Sequence, residues 1–523
     1  MVYQLINQKV SRKNKKKERV ILKRMMDLDP SKRKKLRKID ERLVSYNIEM
    51  AEITGGTFWK AYTPEQINGT EEFLLTEAIS DFTGMEDLMQ YYPPIDLYDP
   101  RLRDLAKKLG PAWIRVSGAW ATQTYYDLDE ETNGKVPEGY KSILTKKQWV
   151  GVLDFVREVG GKLLISVSNC AGDHPNGGPL DLTQTKKIFD FSHEYGVEID
   201  AAEFMNEPNM LEFSGAPKGY TAEDYARDQE IFNGWVRENY PSCLLVGPCS
   251  LGEGAMGKTD LKAAGAGIGS LLSSVCTTDD LMKDTKIPLD VFSYHYYNGV
   301  SERLASIMPN AHWDVDEVHT DAYLSVAEKN AQTYAPLRDK YVPDGQMWVT
   351  ESGDAGGGGN TWASTYLDVF RTLNELGSFC KITDGVIFHN TLASSDYGFL
   401  RHGSFDPRPN YFAVLLWNKL MGTEVFDCGI EQSRNLHVYC HSRRDGKDGA
   451  AYLVINNSLN DEVQVMLPKE TDVYMLTAEE LRSSVMKLNG VPLQYSNDHI
   501  FLSLRNTKGT VILPPASCTF LVV

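Results

Sequence analysis

The chain has 523 residues, 42% of them hydrophobic, and a formal net charge of −16 at pH 7. This length supports two or three domains, or one large barrel with a smaller companion. No uninterrupted stretch of about 18 apolar residues exists, which argues against a membrane-spanning helix, and the N-terminus lacks the pattern of a signal peptide. We therefore expect a soluble, cytoplasmic protein without a membrane partner, although secretion of a trimmed chain stays open.

The first predicted element, residues 1–42, is a basic arm. Residues 9–42 hold 16 Lys or Arg and five Asp or Glu, which leaves a net charge of −27 on the rest of the chain. The sequence Asp29-Pro30-Ser31 is typical of a helix start, so we predict a helical arm laid on the acidic body through Leu36, Ile39 and Leu43. A nucleic-acid arm is the alternative, but the segment carries no binding motif and no nucleic-acid partner is expected.

Residues 43–425 show short β-rich runs that alternate with helical stretches. The predicted strands are Val44–Glu49, Ala112–Ser117, Lys162–Ser168, Ala201–Met205, Cys243–Val246, Asp290–His295, Met347–Thr350 and Gly385–His389. Segments between them, such as Lys146–Gly160, Gln184–Tyr195 and Thr221–Asn239, have helical periodicity. Strand–helix alternation is typical of a parallel sheet, and eight such units can close into a (β/α)8 (TIM) barrel.

Residues 426–523 change to alternating strands separated by turn signals. The predicted strands are Leu436–Ser442, Ala450–Asn456, Glu462–Leu467, Asp472–Leu476, Ile500–Leu504, Thr510–Leu513 and Thr519–Val523. This pattern predicts an antiparallel β-sandwich domain. Its aliphatic strands suit packing against the barrel, whereas a glycan-binding surface would need more aromatic residues than the segment has.

Eight cysteines are scattered along the chain, and we expect them to be reduced structural thiols. They are Cys170, Cys243, Cys249, Cys276, Cys380, Cys428, Cys440 and Cys518. None forms a C-x-x-C pair, and no cluster of Cys and His has the spacing of zinc ligands. No metal site is predicted.

Two glutamates stand at the ends of predicted strands. Glu207, in Asn206-Glu207-Pro208-Asn209, follows the fourth strand, and Glu351 follows the seventh. A single Glu at a strand end is more often an ion-pair partner or helix cap, but barrel enzymes place their catalytic groups at these ends. Retaining glycosidases need a protonated acid/base and an ionised nucleophile about 5–5.5 Å apart. We assign Glu207 as acid/base, with Asn206 as a hydrogen-bonding neighbour, and Glu351 as nucleophile.

From about residue 44 onward the chain resembles glycoside hydrolase family 79, the family of heparanase and bacterial β-glucuronidases, which are retaining (β/α)8-barrel enzymes. The motifs that carry the resemblance are Trp113–Gly118, Leu163–Asn169, Phe204–Asn209, Ser293–Gly299, Thr350-Glu351-Ser352 with the glycines that follow, and Phe405–Phe412. Each motif is modest alone, and their order is fairly specific.

The resemblance implies a uronate-binding set beside the two glutamates. Gly357 and Gly358 match glycines whose backbone N–H groups approach the uronate carboxylate, a role that needs the close approach only glycine allows. Tyr397 matches a tyrosine that hydrogen-bonds the same carboxylate. The alternative interpretation of the glycines is a mobile loop.

Three further positions take their roles from the same resemblance. Glu49 matches an acidic position that contacts sugar hydroxyls, and His295 and Tyr297 lie where the family places side chains that flank the nucleophile. These last two could equally be hydrogen-bonded core residues. The chain departs from heparanase in having Glu49 in place of Asp, Ala119 in place of Thr, and no excised linker after the second strand.

The resemblance and the charge together favour an exo-acting β-glucuronidase that releases a terminal, optionally 4-O-methylated, glucuronic acid. The acidic body opposes a long polyanion, and few basic residues (Arg115, Arg401 and Arg408) stand near strand ends. Alternatives are an endo-β-glucuronidase of the heparanase or hyaluronidase type, a barrel that binds uronate glycans without cleaving them, and a clan member that acts on arabinofuranosides. No cofactor is predicted, and the sequence does not indicate an oligomeric state.

Overall fold

A computed structural model describes residues 24–74, 85–253, 255–256, 259–260, 276–430 and 433–523. The α-helices within these ranges are Met50–Thr54, Pro64–Asn68, Pro100–Leu109, Lys146–Val159, Thr183–Tyr195, Ala222–Asn239, Thr278–Met282, Asp321–Tyr341, Tyr366–Ile382 and Pro409–Leu420. Short 3-10 segments are Pro30–Lys32, Met85–Leu88, Ala121–Gln123, Ala171–Asp173, Pro175–Gly177, Pro208–Ser214, Pro309–Ala311 and Val315–Glu317. In the part of the chain described, none of the helices is long and apolar enough to cross a membrane.

Eight parallel strands close into a barrel, as predicted. They are Val44–Glu49, Trp113–Ser117, Lys162–Ser166, Ala201–Glu203, Leu244–Leu251, Val291–Tyr297, Gln346–Gly353 and Ile387–His389. Each strand pairs in parallel with the next, and the eighth pairs with the first. The (β/α)8 prediction is confirmed, and the errors lie at strand ends. The third, fourth and eighth strands are each two residues shorter than expected, and the fifth, sixth and seventh are longer.

The barrel helices begin and end where local signals place them. The helix Lys146–Val159 begins after Thr145, whose hydroxyl accepts from the N–H of Gln148 while the Gln148 side chain accepts from Thr145 in return. It ends at Gly160, whose φ of 66° is the left-handed conformation that glycine adopts most easily. Its apolar stripe, which includes Trp149 and Phe155, is buried against the barrel.

Apolar side chains fill the barrel interior at the amino-terminal ends of the strands. This layer consists of Trp113, Leu164, Ala201, Val246, Val291, Trp348, Val386 and Phe388. Polar residues such as Arg115 and Glu203 follow it toward the carboxyl ends of the strands, and both are fully buried. The chemistry of the interior is therefore directed at the end where the βα loops meet.

The remaining described strands form a second sheet of ten strands and four two-stranded sheets. They are Arg24–Asp27, Lys34–Lys38, Gly56–Trp59, Met89–Tyr92, Thr124–Asp127, Ser142–Thr145, Ala255–Met256, Thr259–Asp260, Met421–Asp427, Leu436–Arg443, Ala451–Asn456, Val463–Thr477, Lys487–Leu488, Val491–Pro492, Tyr495–Ser496, His499–Ile500, Arg505–Leu513 and Ser517–Val522. The C-terminal strands pair antiparallel, as predicted. Two predicted strands are one long strand, Val463–Thr477, and the strand expected at Ile500–Leu504 ends at Ile500.

The long strand folds the sheet over a core of its own. Its first half pairs with Arg505–Leu513 and its second half with Ser517–Val522. Val438, Val454 and Val465 are among the buried residues enclosed in this way. The other face of the sheet packs on barrel helices, where Tyr439 donates a 2.7 Å hydrogen bond to Asn374.

The predicted helix of the basic arm is wrong over the residues described. Arg24–Asp27 pairs in parallel with the start of Val463–Thr477, and Lys34–Lys38 pairs antiparallel with Met421–Asp427, so this part of the arm belongs to the sheet. Lys35 forms a 2.5 Å ion pair with Glu424 across the strands. The high helix propensity of Lys and Arg yields here to pairing with an open sheet edge. Residues 1–23 lie outside the described residues.

The apolar anchors expected for the arm are partly right. Ile39 and Leu43 are buried, as predicted, whereas Leu36 is 41% exposed because it lies on the open face of its strand. All eight cysteines fall in the described part of the chain and are free thiols, as predicted.

Candidate active site

Glu207 and Glu351 face each other at the carboxyl end of the barrel. Glu207 lies just past the fourth strand with a φ of 43°, and Glu351 lies within the seventh strand. One oxygen of each carboxylate and one ring nitrogen of His295 all lie within 4.8 Å of one another. The Glu207 side chain is 20% exposed and the Glu351 side chain 7%. Two carboxylates at this separation can act on opposite sides of one glycosidic bond.

Glu351 is held by cationic and hydroxyl donors. Its Oε1 lies 3.1 Å from Nη1 of Arg115, and its Oε2 accepts a 2.7 Å hydrogen bond from Tyr297. Burial by itself raises the pKa of Glu351, but the electrostatic effects of His295 and Arg115 and the hydrogen bond from the Tyr297 hydroxyl outweigh it and lower the pKa below its ordinary value. Glu351 is therefore ionised near neutral pH.

His295 joins the two carboxylates. Its Nδ1 lies 2.9 Å from Oε1 of Glu207 and 3.5 Å from Oε2 of Glu351. The ring is fully buried, and its Nε2 lies 3.2 Å from Nη2 of Arg115. The sixth strand thus places two of the predicted residues, His295 and Tyr297, directly against the glutamates.

Arg115 orients the floor of the site. It donates a 2.7 Å hydrogen bond to Glu203 and a 2.8 Å hydrogen bond to Oδ1 of Asn206. Ser117 donates to the same Asn206 oxygen at 3.1 Å. Because two donors hold the oxygen of the Asn206 amide, its NH2 group is turned the other way, and Asn206 lines the cavity. Arg115 itself is fully buried and forms an ion pair with Glu203.

The backbone of residues 356–359 is almost completely hydrogen-bonded. The Gly356 carbonyl accepts from the N–H of Ser301, and the Gly358 carbonyl accepts from the N–H of Asp396. The Gly357 carbonyl accepts from the Ser301 hydroxyl and from Arg303. The Gly359 carbonyl accepts from Arg303 and from the Tyr62 hydroxyl. The N–H groups of Gly356 and Gly359 donate to backbone carbonyls. Within the described residues, the N–H groups of Gly357 and Gly358 have no acceptor, so this ordered loop holds two free donors.

Both glycines have a backbone that resists substitution. Their φ values are 87° and 84°, in the left-handed region. A Cβ on Gly357 would lie 2.9 Å from Leu304, and one on Gly358 would lie 2.7 Å from Trp59. Gly357 lines the cavity, whereas Gly358 is covered by Trp59 and does not. The loop is therefore a built element, contrary to the alternative of a mobile glycine segment.

Tyr397 is linked to the site by Asn390, a residue that the sequence analysis did not predict. Asn390, directly after the eighth strand, donates to the hydroxyl of Tyr297 at 2.9 Å and to that of Tyr397 at 3.1 Å. The rings of Tyr297 and Tyr397 stack with their centroids 6.3 Å apart. Asn390 could have been found from the signal used for the glutamates, since it too is a polar residue at the end of a barrel strand.

Glu49 is a buried acid without a cationic partner at ion-pair distance among the described residues. It is 3% exposed, lines the cavity, and its Oε2 has no hydrogen-bond partner within the described part of the chain. Burial, with the negative charges of Glu351 and Glu52, raises its pKa well above the ordinary range. Gly118 gives the carboxyl its space, since a Cβ there would lie 1.8 Å from Oε2. Burial therefore favours the protonated form of Glu49, which can donate its proton in a hydrogen bond.

The site opens into a cavity of about 270 Å³. One part of its wall is polar and contains the glutamates, and the other part is apolar. The apolar wall consists of Phe58, Trp59, Trp120, Met210, Leu251, Val300, Leu304 and Met308. None of the described residues lining the cavity is Lys or Arg. The apolar residues come from five separate stretches of the chain, so no motif in the sequence groups them.

A divalent metal fits this site poorly. Glu207, His295 and Glu351 offer three ligand atoms close together. The guanidinium of Arg115, however, lies within 3.2 Å of two of these residues and supplies the positive charge that a metal would otherwise bring.

The barrel and its pair of strand-end carboxylates define a glycoside hydrolase. No family model matches the chain. Heparanase-like protein 1 of Arabidopsis thaliana is 25% identical over 412 residues, which cover 75% of this chain and 70% of the relative. Baicalin-β-D-glucuronidase of Scutellaria baicalensis is 23% identical over 76% of both chains. The chain is related to the heparanases and β-glucuronidases of glycoside hydrolase family 79, as its motifs predicted.

Solved structures share the fold at low sequence identity. A 4-O-α-L-rhamnosyl-β-D-glucuronidase from Fusarium oxysporum superposes with a TM-score of 0.61 at 13% identity, covering 95% of this chain and all of that one. An α-L-arabinofuranosidase from Thermotoga petrophila gives 0.58 at 14% identity, covering 95% of this chain and 99% of that one. These similarities concern the fold alone, because enzymes with different substrates share it.

Proposed function

We propose that the protein is a retaining, exo-acting β-glucuronidase. The observation that carries the proposal is the carboxylate pair at the ends of the fourth and seventh strands, with oxygens of Glu207 and Glu351 within 4.8 Å of each other and of His295. Retaining enzymes hold their carboxyl groups about 5–5.5 Å apart, whereas inverting enzymes need about 6.5–9.5 Å to admit a water. The short separation favours double displacement.

In the first step, Glu207 gives its proton to the oxygen of the leaving group while Glu351 attacks the anomeric carbon. The glycosidic bond breaks, and a glycosyl ester forms on Glu351. In the second step, Glu207 takes a proton from water, the water oxygen attacks the anomeric carbon, and Glu351 leaves as a carboxylate. Tyr297 and Arg115 stabilise Glu351 as an anion before the attack and after its release.

The substrate class is supported by donors suited to a uronate. The free N–H groups of Gly357 and Gly358 and the hydroxyl of Tyr397 are the groups that the family resemblance assigns to the uronate carboxylate. Glu49, as a neutral acid, would donate to a sugar hydroxyl, and Asn206 turns its NH2 group to the cavity. The similarity to a baicalin-β-D-glucuronidase supports the same class.

Exo action on a small or neutral partner is supported by the size and charge of the cavity. At about 270 Å³ the cavity is at the lower end for a ligand pocket. Its lining, within the described residues, has no Lys or Arg to hold further acidic sugars, whereas polyanion binding relies on such contacts. The apolar wall beside the acids suits an apolar or aromatic leaving group.

A panel of aryl glycosides tests the reaction and the substrate together. The panel contains the glucuronide, 4-O-methylglucuronide, galacturonide and arabinofuranoside, each assayed with wild type and Glu351→Gln. We expect turnover of the glucuronide that is lost in the variant. No turnover of the glucuronide would contradict the proposal and leave a glycan-binding barrel, and turnover of the arabinofuranoside alone would reassign the site.

Product sizing separates exo from endo action. Wild type is incubated with heparan and with hyaluronan, and the products are separated by size. We expect free glucuronate as the product released from chain ends, without oligosaccharides. A ladder of oligosaccharides would overturn exo action and favour the endo-β-glucuronidase alternative.

A further inference from the structure

The glycine loop has a cation behind it, on the side away from the substrate cavity. Arg303 is 1% exposed and does not line the cavity. Its Nη1 donates to the carbonyl of Gly357 at 3.0 Å and to the carbonyl of Gly359 at 2.9 Å. One guanidinium thus bonds two carbonyls of the loop whose free N–H groups face no protein acceptor.

The position of Arg303 fixes the direction of one of those N–H groups. The bond between Gly357 and Gly358 is trans, and in a trans peptide the carbonyl and the N–H of the same unit point in opposite directions. Arg303 and the Ser301 hydroxyl hold the Gly357 carbonyl on the outer side of the loop. The N–H of Gly358, which belongs to that same peptide unit, therefore points away from Arg303.

The same contact strengthens the donor. A carbonyl that accepts a hydrogen bond from a charged group is polarised, and the polarisation passes through the peptide unit to its N–H. The Gly356 carbonyl accepts only from the neutral N–H of Ser301. Among the two free N–H groups, that of Gly358 therefore carries the larger partial charge.

Arg303 is itself held on several sides. Its Nη2 donates to the Lys60 carbonyl at 2.7 Å and to Oδ2 of Asp396 at 2.8 Å, and its guanidinium lies 3.7 Å from the ring centroid of Tyr62. Asp396 neutralises much of its charge at long range. The influence of Arg303 on the cavity is therefore exerted through the ordered peptide units of the loop.

We propose that Arg303 is a positioning residue for uronate selectivity. It fixes and polarises the peptide unit that joins Gly357, which lines the cavity, to Gly358, and so holds the N–H groups of the glycine loop in place for the carboxylate of the substrate. Arg303 acts through the loop and does not contact the substrate. This inference rests on the proposed β-glucuronidase function and names the device that distinguishes a uronate from a neutral sugar.

The test compares Arg303→Gln with a matched control, Arg37→Gln. Arg37 also donates to two backbone carbonyls, those of Ile382 and Lys381, but at the edge of the second sheet. The measurement is kcat/KM for an aryl glucuronide and for the glucoside with the same aryl group, together with the inhibition constant of free glucuronate.

We expect Arg303→Gln to lower kcat/KM for the glucuronide by about tenfold or more, mainly through KM, because a hydrogen bond to a charged group is weakened. The inhibition constant of glucuronate should rise by a similar factor, and glucoside turnover should change little. Arg37→Gln should leave both substrates unchanged. An equal loss for both substrates in Arg303→Gln would show a purely structural role and overturn the inference.

A milder variant decides the matter if Arg303→Gln does not fold. Ser301→Ala removes one donor from the Gly357 carbonyl and leaves the guanidinium in place, so the glucuronide-to-glucoside ratio should fall by a few fold. An unchanged ratio in Ser301→Ala would contradict the inference. Wild type that does not turn over the glucuronide would instead contradict the proposed function, so the two failures are distinguishable.

Discussion

At the scale of single residues, the two glutamates differ in what surrounds them. Glu351 is held by Arg115 and Tyr297 and has a lowered pKa, whereas Glu207 is more exposed and has the single partner His295 in the described structure. An ionised, anchored carboxylate suits a nucleophile. A carboxyl that stays accessible to solvent suits an acid that must be reprotonated in each cycle.

This asymmetry predicts opposite outcomes of rescue by azide. Glu351→Gly should lose at least about a thousandfold in kcat, and azide should restore turnover by attacking from the vacated side, which gives a glucuronyl azide of inverted configuration. Glu207→Gly, assayed with a leaving group that needs no acid, should give a retained azide. NMR of the products distinguishes the two. A retained product from Glu351→Gly would mean that the roles are exchanged.

The protonated state of Glu49 predicts a pH effect. Because the pKa of Glu49 is raised, its proton is kept to a higher pH than is usual for a carboxyl group and is lost as pH rises through the raised value. The donor to the sugar is therefore lost on the alkaline side. Glu49→Gln keeps a neutral donor and should retain most of the activity at pH 6 while resisting the alkaline fall. The assay uses a leaving group that needs no acid, so that the ionisation of Glu207 does not itself cause a fall of activity at alkaline pH.

Two outcomes would contradict this assignment of Glu49. An alkaline limb that is the same in wild type and Glu49→Gln would place the ionisation on another group. A loss in Glu49→Gln as large as in Glu49→Ala, at all pH values, would mean that the negative charge of Glu49 is required.

At the scale of elements, the strand Arg24–Asp27 carries information that the basic composition of the arm hides. Met25 is 71% exposed and Met26 is 6% exposed, and the buried residue packs in the core of the second sheet. Alternation with a period of two is the signature of a half-buried strand. A helical arm would instead repeat its buried positions every three to four residues.

Substitution of these two neighbours tests the strand. Met26→Ala should lower the free energy of unfolding by about 2–5 kcal/mol, as is typical when a buried Met is truncated. Met25→Ala is the matched control and should change it by less than about 0.5 kcal/mol. Chemical denaturation of both variants provides the measurement. Equal effects in the two variants would contradict the pairing of this strand with Val463–Thr477.

The elements that the sequence predicts well are those whose pattern is local. Each barrel strand is a short apolar run between helical stretches, and the positions of Glu207 and Glu351 follow from counting such runs. The basic arm was predicted wrongly because its strands exist only through partners that lie between 386 and 439 residues further along the chain. The apolar wall of the cavity was not predicted for a similar reason, since Trp59, Met210 and Met308 come together only in the folded chain.

At the scale of the whole molecule, the barrel and the second sheet share one core. The helix Tyr366–Ile382 is buried along its length from Tyr366 to Cys380, and a Cβ on its Gly377 would lie 2.3 Å from the Tyr439 ring. A barrel helix normally keeps one face in water. The second sheet therefore covers the outer face of this helix. The glycine loop, residues 356–359, precedes in the chain a helix that is packed on both sides.

The shared core predicts that the barrel does not survive without the sheet. A chain that ends after Val425 would expose the outer face of Tyr366–Ile382 and remove the strand partners of Arg24–Asp27 and of Lys34 and Lys35. We therefore expect it in the insoluble fraction after expression. Tyr439→Phe is the control within the full chain: it removes only the hydrogen bond to Asn374, and should stay soluble with a loss of about 1–3 kcal/mol in unfolding free energy. A soluble, monodisperse truncated chain that hydrolyses the aryl glucuronide would show that the sheet is dispensable. An insoluble one, beside an active Tyr439→Phe, would show that the barrel needs the apolar cover of the sheet, because the loss of one of the polar contacts across the interface leaves the fold intact.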